Sequence, residues 1–414
     1  MSDTARIVFV QTGDFRAAYE RISAGMGETY HAQTYSMEVV ERLVPQAAVV
    51  AVICTCAEIP HDKTLPSGVR SIGLDDIWKQ KRPFASVIAQ LDALEPTHLI
   101  LRSPSRSLLT WARQHGVRVL PSFADSFMLR RGLRGWIDRW RLRQLASELN
   151  RPEVGRVGNH NIAAAEGLAT LGVAAEKIIP WDWPRSPTPA DFSPKTAPAA
   201  GPKRLIFVGA VSEAKGVGDI IRALAADPRM GDGATFKVVG GGDIEGFQAL
   251  ARSLGVAKRV TFTGRLPHAE IAPAMHAADA VLVYSRHQYG EGLPGTIYLG
   301  FASRTPIVIS DHPMFVAYFR DREDVLFAPE HAPDQLAARL RVLFDDPALY
   351  ERLSRNGDSA FVRIAHPVLW GDFVECWLRN GPEDCAWLDA QTLPKWRAMQ
   401  LKMTDAMGTP ETQS

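Results

Sequence analysis

Short apolar runs recur along this chain, and longer stretches with helical periodicity separate them. In the first half the runs are Ile7 to Val10, Ala47 to Cys54, His98 to Leu101 and Val117 to Leu120. In the second half they are Arg204 to Val208, Phe236 to Val239, Val260 to Thr263, Ala280 to Tyr284, Pro306 to Ile309 and Val325 to Phe327. Strands that are apolar on both faces and alternate with helices are typical of a buried parallel sheet. The sequence therefore predicts an α/β protein with two βαβ-type layers.

A proline-rich stretch separates the two halves. Residues 184–203 contain several prolines and alanines and show no helical or strand periodicity, which is typical of a linker. A chain of 414 residues, of which 46% are hydrophobic, normally divides into two cores. We therefore expect an N-terminal domain over residues 1–183, a linker over 184–203, a C-terminal domain over 204–360, helices over 361–400 that cross back to the N-terminal domain, and a flexible tail over 401–414.

Charge and composition argue against several functional classes. Lys and Arg number 47 against 46 Asp and Glu, and the net charge of +1 gives no global field that would attract nucleic acid. The apolar runs are far shorter than the roughly 20 residues that span a bilayer, and the N-terminus shows none of the features of a secretory signal. The four cysteines form no Cys-x-x-Cys pair, which argues against a disulfide framework or a zinc site. These features predict a soluble, cytoplasmic protein.

The first segment with chemical content follows the strand that ends at Val208. Gly209 opens a loop that reaches Lys215 and Gly216 and leads into an amphipathic helix from Ile220. Such a loop can hold a lysine and free amides beside an anion at the carboxyl edge of a sheet. A surface lysine after a turn gives the same pattern. The segment is not a Walker loop, because the Gly-Lys-Ser/Thr ending is missing.

Glycines end two further strands of the second half. Gly240 to Gly242 follow Val239, and Gly264 precedes Arg265 and Leu266. Because glycine has no Cβ, such positions let a flat nucleobase and its ribose approach the backbone closely. Ordinary turns also use glycine, so neither segment is specific by itself.

The third segment joins a carboxylate to the start of a helix. Glu291 precedes Gly292-Leu293-Pro294-Gly295-Thr296, and the free amides of a helix N-terminus receive negative charge. When a glycosidic bond to a nucleoside diphosphate breaks, fixed donors aimed at the departing phosphate lower the barrier. Many enzymes hold a metal with Asp-x-Asp for this purpose, and the sequence contains no such motif. We therefore expect Lys215 and helix amides to do this work, with no metal and no other cofactor.

Taken in this order and spacing, the segments resemble the retaining glycosyltransferases of family 4, which have the GT-B fold. The resemblance covers about residues 203–380 and includes Arg304-Thr305-Pro306-Ile307-Val308. It implies two Rossmann-like domains that face each other across a cleft, the second of which binds a nucleoside diphosphate sugar. The donor-binding residues that it implies are Gly13, Gly209, Lys215, Gly240, Gly264, Arg265, Leu266, Glu291, Gly292, Leu293, Pro294, Gly295 and Thr296. The catalytic residues that it implies are Glu291, which would contact the transferred sugar, Lys215, which would contact the diphosphate, and Asp125.

The chain departs from the family pattern at two positions. Arginine often follows the strand glycine in the family, whereas this chain has Ala210, so one phosphate contact is absent or supplied elsewhere. The family also places a second Glu eight residues after the first, where it holds the ribose hydroxyls, and here that position is Leu299. Losing one charged hydrogen-bonding pair weakens binding by about 1.5 to 3 kcal/mol. This departure leaves open a protein that binds the donor without turning it over.

The N-terminal half matches the family less distinctly. Gly13 follows the first strand, where relatives bring a glycine turn toward the donor phosphates and the acceptor. Asp125 lies near the place where relatives have a histidine and an aspartate along the cleft, but the histidine is absent and helix capping explains Asp125 equally well. The segments around His160 and Trp181 favour structural roles, since tryptophans usually pack and asparagines cap helices.

An arginine-rich segment runs from Arg130 to Arg143. It contains six arginines together with Trp136 and Trp140, which are four residues apart. On a helix this composition resembles an interfacial anchor that meets anionic lipid heads, and an acceptor held at a membrane would follow. Solvated helix faces with tryptophans turned to the core have the same composition.

The sequence as a whole favours retaining, metal-independent transfer of a sugar from a nucleoside diphosphate sugar to a carbohydrate or lipid-linked acceptor. We expect this activity to serve the synthesis of a surface polysaccharide or glycolipid, in the cytoplasm or at the inner face of the membrane. One alternative is a non-catalytic donor-binding subunit, motivated by Leu299. A second is a sugar-nucleotide epimerase of the same fold, for which the sequence offers no obvious set of carboxylates and histidines.

Overall fold

The computed structural model describes residues 4–406 apart from residues 30–31, 81–83, 126, 128–131, 227–233 and 290–292. The chain divides into two compact units, one formed by residues 1–184 with 366–414 and the other by residues 185–365. The helices after residue 365, which we expected to cross back, are thus part of the first unit.

Residues 184–203, which the sequence predicts to be a linker, belong from Arg185 onward to the second unit. The backbone amide of Lys195 donates to Ser354 Oγ at 2.7 Å, and its ammonium donates to the carbonyl oxygens of His276, at 2.9 Å, and Ala278. Arg304 Nε donates to the carbonyl oxygen of Pro189 at 2.9 Å. Apart from the short 3-10 turn Pro189–Asp191, the segment forms no periodic element before β9, and these hydrogen bonds hold it in place.

The first unit is built on a sheet of eight strands among the described residues. They are β1 (Arg6–Gln11), β2 (Val49–Cys54), β3 (His61–Thr64), β4 (Arg70–Gly73), β5 (His98–Leu101), β6 (Arg118–Phe123), β7 (Val157–His160) and β8 (Ile178–Trp181). Their spatial order is β3-β4-β2-β1-β5-β6-β7-β8, and every described pairing except β3 with β4 is parallel. In the register at the centre, Phe9 of β1 lies between Val52 of β2 and Ile100 of β5.

Helices flank this sheet and close it with aromatic side chains. They are α1 (Phe15–Ser23), α2 (Gln33–Glu41), α3 (Ala85–Leu94), α4 (Arg106–Gln114), α5 (Gly132–Leu149), α6 (Asn161–Thr170), α14 (Trp370–Arg379), α15 (Pro382–Ala390) and α16 (Leu393–Ala406). Trp181, Trp183 and Trp370 pack on one another, with ring centroids 4.8 to 6.4 Å apart, and the guanidinium of Arg102 lies over Trp370 at 4.6 Å. Such aromatic packing buries large apolar areas and fixes the returning helix α14 on the first unit.

The second unit has a six-stranded parallel sheet among its described residues. Its strands are β9 (Lys203–Val208), β10 (Ala234–Val239), β11 (Val260–Gly264), β12 (Ala280–Val283), β13 (Ile307–Ser310) and β14 (Leu326–Ala328), in the order β11-β10-β9-β12-β13-β14. The helices are α7 (Val217–Ala226), α8 (Ile244–Ser253), α9 (His268–Ala277), α10 (Gly295–Ala302), α11 (Pro313–Val316), α12 (Pro333–Asp345) and α13 (Pro347–Ile364). Alternation of buried strands with helices confirms the α/β architecture that the apolar runs predict.

Both sheets reverse their strand order at one point. In the first unit the reversal lies between β1 and β5, and in the second unit it lies between β9 and β12. Open α/β sheets bind their ligands at the carboxyl ends of the strands at such a switch point. The loops after β1, β5, β9 and β12 are therefore where a functional site is expected.

Among the described residues, no helix combines the length and the apolar character that crossing a bilayer requires.

Candidate functional site

The loop after β9 packs directly on the loop after β10. The backbone amide of Gly209 donates to the carbonyl oxygen of Val239 at 3.0 Å, and that of Val211 donates to Gly241 at 2.9 Å. A Cβ on Gly240 would lie 1.8 Å from the carbonyl oxygen of Gly209, so a larger residue there would clash. The close approach that Gly240 permits is thus between two protein loops, which together form one wall at the switch point.

The same loop is fastened to the strand end on its other side. A Cβ on Gly216 would lie 2.1 Å from the carbonyl oxygen of Tyr284, and the backbone amide of Arg286 donates to the carbonyl oxygen of Ala214 at 2.9 Å. The guanidinium of Arg286 pairs with Glu213 at 2.8 Å and with the buried Asp219 at 3.1 Å. The loop that bears Lys215 is therefore clamped between the ends of β10 and β12.

Lys215 is half-buried in this loop, and its ammonium lies 4.5 Å from the ring centroid of Tyr289. At this distance the ring attracts the cation and holds it in place. Tyr289 is the last described residue before the segment in which the predicted Glu291 and Gly292 lie. Those two residues lie outside the described part of the chain, so the prediction for them stands as a prediction.

The start of α10 lies at the same edge of the sheet. Thr296 Oγ1 donates to the carbonyl oxygen of Val208 at 3.2 Å, which joins the helix start to the end of β9. Pro294 is the N-cap and makes no capping hydrogen bond through its side chain within the described residues, and no described atom lies within 4 Å of a Cβ placed on Gly295. The first amides of a helix carry partial positive charge, so this end of α10 attracts an anion. Leu293 is buried in the apolar cluster beneath it.

The predicted base-bordering residues end β11. Gly264 has a φ of +72°, in the left-handed region, and its carbonyl oxygen accepts from the backbone amide of Gly240 at 2.8 Å. Arg265 is exposed, whereas Leu266 is half-buried and packs against the same apolar cluster as Leu293. Leu299, which stands where the family has its second glutamate, also packs against this apolar cluster. Both the side chain and its surroundings are thus apolar at that position.

A histidine and two carboxylates that the sequence reasoning missed lie at this edge. His287 Nε2 lies 2.8 Å from Asp311 Oδ1, and His287 Nδ1 lies 3.2 Å from Glu330 Oε1. The backbone amide of His287 also donates to Glu330 Oε2 at 2.7 Å. Asp311 and Glu330 stand within two residues after β13 and β14, a position at the carboxyl ends of strands that marks them as candidates from sequence alone. Their contacts fix the loop that carries Tyr289.

Polar side chains also meet at the switch point of the first unit. Thr12 Oγ1 and Ser103 Oγ, which follow β1 and β5, lie 3.1 Å apart and share a hydrogen bond. They open on a cavity of about 540 Å³. Its lining residues are Thr12, Trp78, Ser103, Pro104, Asp125, Phe127, Asp138, Arg141 and Leu142.

The structure gives the predicted residues of the first unit different surroundings. Asp125 lines the cavity, yet its carboxylate also accepts from the backbone amide of Phe127 at 2.7 Å, as in a local turn. No described atom lies within 4 Å of a Cβ placed on Gly13. His160 Nε2 lies 3.1 Å from Asp182 Oδ1 within the tryptophan cluster, which is the structural role that the sequence favours.

Within the described residues, no three His, Cys, Asp or Glu side chains are grouped so that they would hold a metal ion.

The second unit is similar in sequence to known glycosyltransferases. Residues 190–360 match the family model of the group 1 glycosyl transferases. Over 192 residues the chain is 31% identical to the glycogen synthase of Mycobacterium tuberculosis. The aligned region covers 46% of this chain and 43% of that protein. Over 181 residues the chain is 32% identical to the D-inositol 3-phosphate glycosyltransferase of Thermomonospora curvata, covering 41% of this chain and 40% of that protein. The match thus spans less than half of the length of these relatives.

Comparison with solved structures covers both units. The fold is similar to that of Anabaena HepE in complex with UDP, with a TM-score of 0.61 and 15% identity over 87% of this chain and 96% of that one. It is similar to that of the lipopolysaccharide outer core galactosyltransferase WaaB, with a TM-score of 0.61 and 14% identity over 91% of this chain and 99% of that one. These likenesses confirm the predicted α/β fold class of GT-B type, with two Rossmann-like domains.

Proposed function

We propose, from the match of residues 190–360 to the family model of the group 1 glycosyl transferases, that the chain transfers a sugar from a nucleoside diphosphate sugar to a carbohydrate or lipid-linked acceptor. The transfer proceeds with retention of configuration and without a metal, in the synthesis of a surface polysaccharide or glycolipid. The donor occupies the switch point of the second unit.

One observation carries this proposal: a lysine, a glycine-walled loop and a helix start converge at one edge of one sheet. The half-buried Lys215 lies in the loop that Gly209 opens, and Thr296 joins the start of α10 to the end of the neighbouring strand β9. A diphosphate needs a positive charge and several donors at fixed positions, and a lysine with helix amides offers both. The solved structures of HepE with UDP and with UDP-glucose support a uridine nucleotide as the first donor to test.

The transfer reaction also requires a positive charge and fixed hydrogen-bond donors at the carboxyl edge of the second sheet. As the bond between sugar and diphosphate breaks, negative charge grows on the departing phosphate, and the Lys215 ammonium and the amides of α10 stabilise it. These donors are held in place before the reaction, because Tyr289 fixes the ammonium and Val208 fixes the helix start. The acceptor hydroxyl attacks from the face that the phosphate leaves, and the phosphate oxygen takes the hydroxyl proton. No protein base is then required, and Glu291 binds the hydroxyls of the transferred sugar.

The acceptor is assigned to the cavity of the first unit. Its volume of about 540 Å³ is within the range of small-molecule sites. Trp78 is 56% exposed and offers a flat apolar face to a sugar ring, while Asp125 and Arg141 offer polar contacts to its substituents. A cavity lined by such side chains suits a carbohydrate group.

The test is nucleoside diphosphate release from a panel of nucleotide sugars, with and without chelator. Lys215→Ala is expected to lower kcat/KM about a hundredfold, because a charged hydrogen bond to the phosphate contributes about 1.5 to 3 kcal/mol. Lys258→Ala is the matched control: Lys258 is exposed and precedes β11, at the opposite edge of the sheet, so its activity stays at the wild-type level. Loss of transfer in chelator would contradict the metal-independent mechanism.

Leu299 favours one alternative to the transferase, a donor-binding subunit without activity, and this alternative is tested beside it. Its apolar contacts leave no charged partner for the ribose at that position. Calorimetry that shows tight nucleotide binding in a protein that releases no diphosphate from any donor would establish a donor-binding partner subunit instead. A change in the sugar nucleotide itself, without an acceptor, would point to an epimerase. Glu291→Ala lowers donor hydrolysis if the protein is a transferase.

A further inference from the structure

Helix α5 of the first unit turns its large apolar side chains outward. Trp136 is 74% exposed, Trp140 56% and Ile137 46%, and the first two are one helical turn apart. The opposite face of the helix is buried through Leu145, Ala146 and Leu149. The tryptophans of this helix are therefore not core residues, as one interpretation of the sequence allowed, and they form an apolar stripe at the surface.

Arginines border this stripe on both sides. Arg139 and Arg143 are exposed and one turn apart, so they form a row beside the tryptophans, while the exposed Arg141 follows Ile137 by one turn on the other side. Arg130 and Arg131 of the arginine-rich segment lie outside the described residues. At the end of the helix the basic row continues into a shallow depression of about 490 Å³. Its lining residues are Arg143, Ala146, Ser147, Asn150, Arg151, Leu171 and Gly172.

We propose that the outward face of α5, defined by Trp136, Ile137, Trp140, Arg139 and Arg143, docks the protein on an anionic phospholipid bilayer. The helix lies in the plane of the interface, with its three apolar side chains at the level of the acyl chain boundary. The arginines reach lipid phosphates, and the depression beside Arg143 and Arg151 accepts one of them. This inference goes beyond the proposed transfer reaction and stands on residues that the donor site does not use.

The charge pattern selects a membrane over other occupants of this face. Tryptophan combines a large apolar ring with one N–H group, which suits the boundary between water and acyl chains. A second copy of the chain would place the same arginine rows near one another, and like charges repel. A row of arginines beside an apolar stripe matches the two parts of an anionic bilayer, its phosphates and its hydrocarbon.

Sedimentation with vesicles tests the proposal on the whole 414-residue chain. We expect wild type to sediment with phosphatidylcholine vesicles that contain about one third phosphatidylglycerol, far more than with pure phosphatidylcholine, and to be released by salt. Arg139→Gln with Arg143→Gln lowers partitioning about 25-fold, since each arginine near an anionic surface contributes about fivefold. Trp136→Ala with Trp140→Ala lowers it at least about tenfold by removing buried apolar area.

Matched control variants separate this face from general effects of substitution. Met26→Ala with Ile59→Ala removes apolar residues of the same unit that are 68% and 65% exposed, and Lys63→Gln with Arg252→Gln removes two exposed cations elsewhere. Both control pairs should sediment like wild type. Nucleotide binding by each variant shows that the fold is intact, so a defect in the donor site is distinguishable from a defect in docking.

Three results would overturn the proposal. If wild type sediments equally little with both vesicle types, the protein has no surface that binds anionic membranes. Variants of the α5 face that sediment like wild type show that another surface binds. A wild type that self-associates in solution, and becomes monomeric after Trp136→Ala with Trp140→Ala, shows that a second copy of the chain covers this face instead.

Discussion

Both units have a candidate binding site at the point where the strand order of the sheet reverses, but one site is walled by backbone and the other by side chains. In the second unit the walls are backbone, and the carbonyl oxygen of Gly209 would lie 1.8 Å from a Cβ on Gly240. In the first unit the walls are side chains, among them Thr12, Ser103 and Arg141, around a cavity of about 540 Å³. The two sites therefore respond to substitution in different ways.

Apart from the side chain of Lys215, the second unit builds this site mainly from backbone groups, which substitution of neighbouring side chains changes little. Amides and a helix start recognise a diphosphate whatever sugar it bears, so this edge suits the part of the donor that is common to many reactions. A side-chain wall changes shape and charge with each substitution, so the cavity of the first unit suits the choice of acceptor. Glycine substitutions in the two units therefore test this difference most directly.

The largest expected effect is that of Gly240→Ala in the second unit. Its φ of +144° is one that alanine rarely adopts, and the new Cβ would overlap the carbonyl oxygen of Gly209. We expect a loss of about 3 kcal/mol or more in the free energy of unfolding, and loss of nucleotide binding. Urea unfolding followed by circular dichroism, with calorimetry of nucleotide binding, measures both.

Gly264→Ala is the matched control for that substitution. Gly264 also has positive φ, +72°, but no described atom lies within 4 Å of an added Cβ. Only the backbone strain remains, which costs about 1 to 2 kcal/mol. Equal losses for the two variants would show that strain, and not the contact between the loops, sets the effect at Gly240.

A second prediction concerns pH and acts on the first unit. Burial lowers the pKa of His366 to about 4, even though the nearby Asp182 carboxylate acts in the opposite direction. Burial, together with the neighbouring Arg118 guanidinium, lowers the pKa of His98 to about 4 as well. In the unfolded chain these two histidines protonate near pH 6.5, so acid favours the unfolded state over the folded one. The first unit should therefore lose stability as the pH falls from about 6.5 to 4, by up to about 3 kcal/mol for His366.

Tryptophan fluorescence reports this loss selectively. All ten tryptophans of the sequence lie in residues 1–184 and 366–414, the two segments of the first unit. We expect the urea midpoint by fluorescence to fall over that pH interval in wild type and to fall less in His366→Gln. An unchanged slope in the variant would show that other groups carry the pH dependence.

The difference between backbone and side-chain contacts also decides which features the sequence could predict. Near-continuous apolar runs predict the central strands of both sheets, because burial on two faces leaves a clear pattern. β3, with the sequence His61-Asp62-Lys63-Thr64, is a polar edge strand and β7 contains Gly158 and Asn159, so neither presents such a run. The contacts of the predicted linker with the second unit escape sequence reasoning for a related reason, since hydrogen bonds through Lys195 and Arg304 leave no periodic signal.

The candidate site divides in the same way. The order of glycines and Lys215 could be recognised from the sequence, because a backbone wall needs glycine at fixed positions. The contact of Lys215 with Tyr289 and the bonds of His287 to Asp311 and Glu330 could not, because they join side chains from separate loops. The cavity of the first unit likewise draws on loops after several strands and on α5, so no single motif reveals it.

The smallest expected effect on stability is that of Gly13→Ala in the first unit. Its φ is not in the left-handed region, and no described atom lies within 4 Å of an added Cβ, so the folded state accepts the methyl group. The unfolded chain loses some freedom, so stability should change by less than about 1 kcal/mol, toward greater stability. If Gly13 faces the reacting groups as the family resemblance implies, the same methyl group raises the KM for donor or acceptor while the urea midpoint stays in place. A variant with unchanged kinetics as well as unchanged stability would remove Gly13 from the site, and would leave the side chains of Thr12 and Ser103 as the functional groups of this edge.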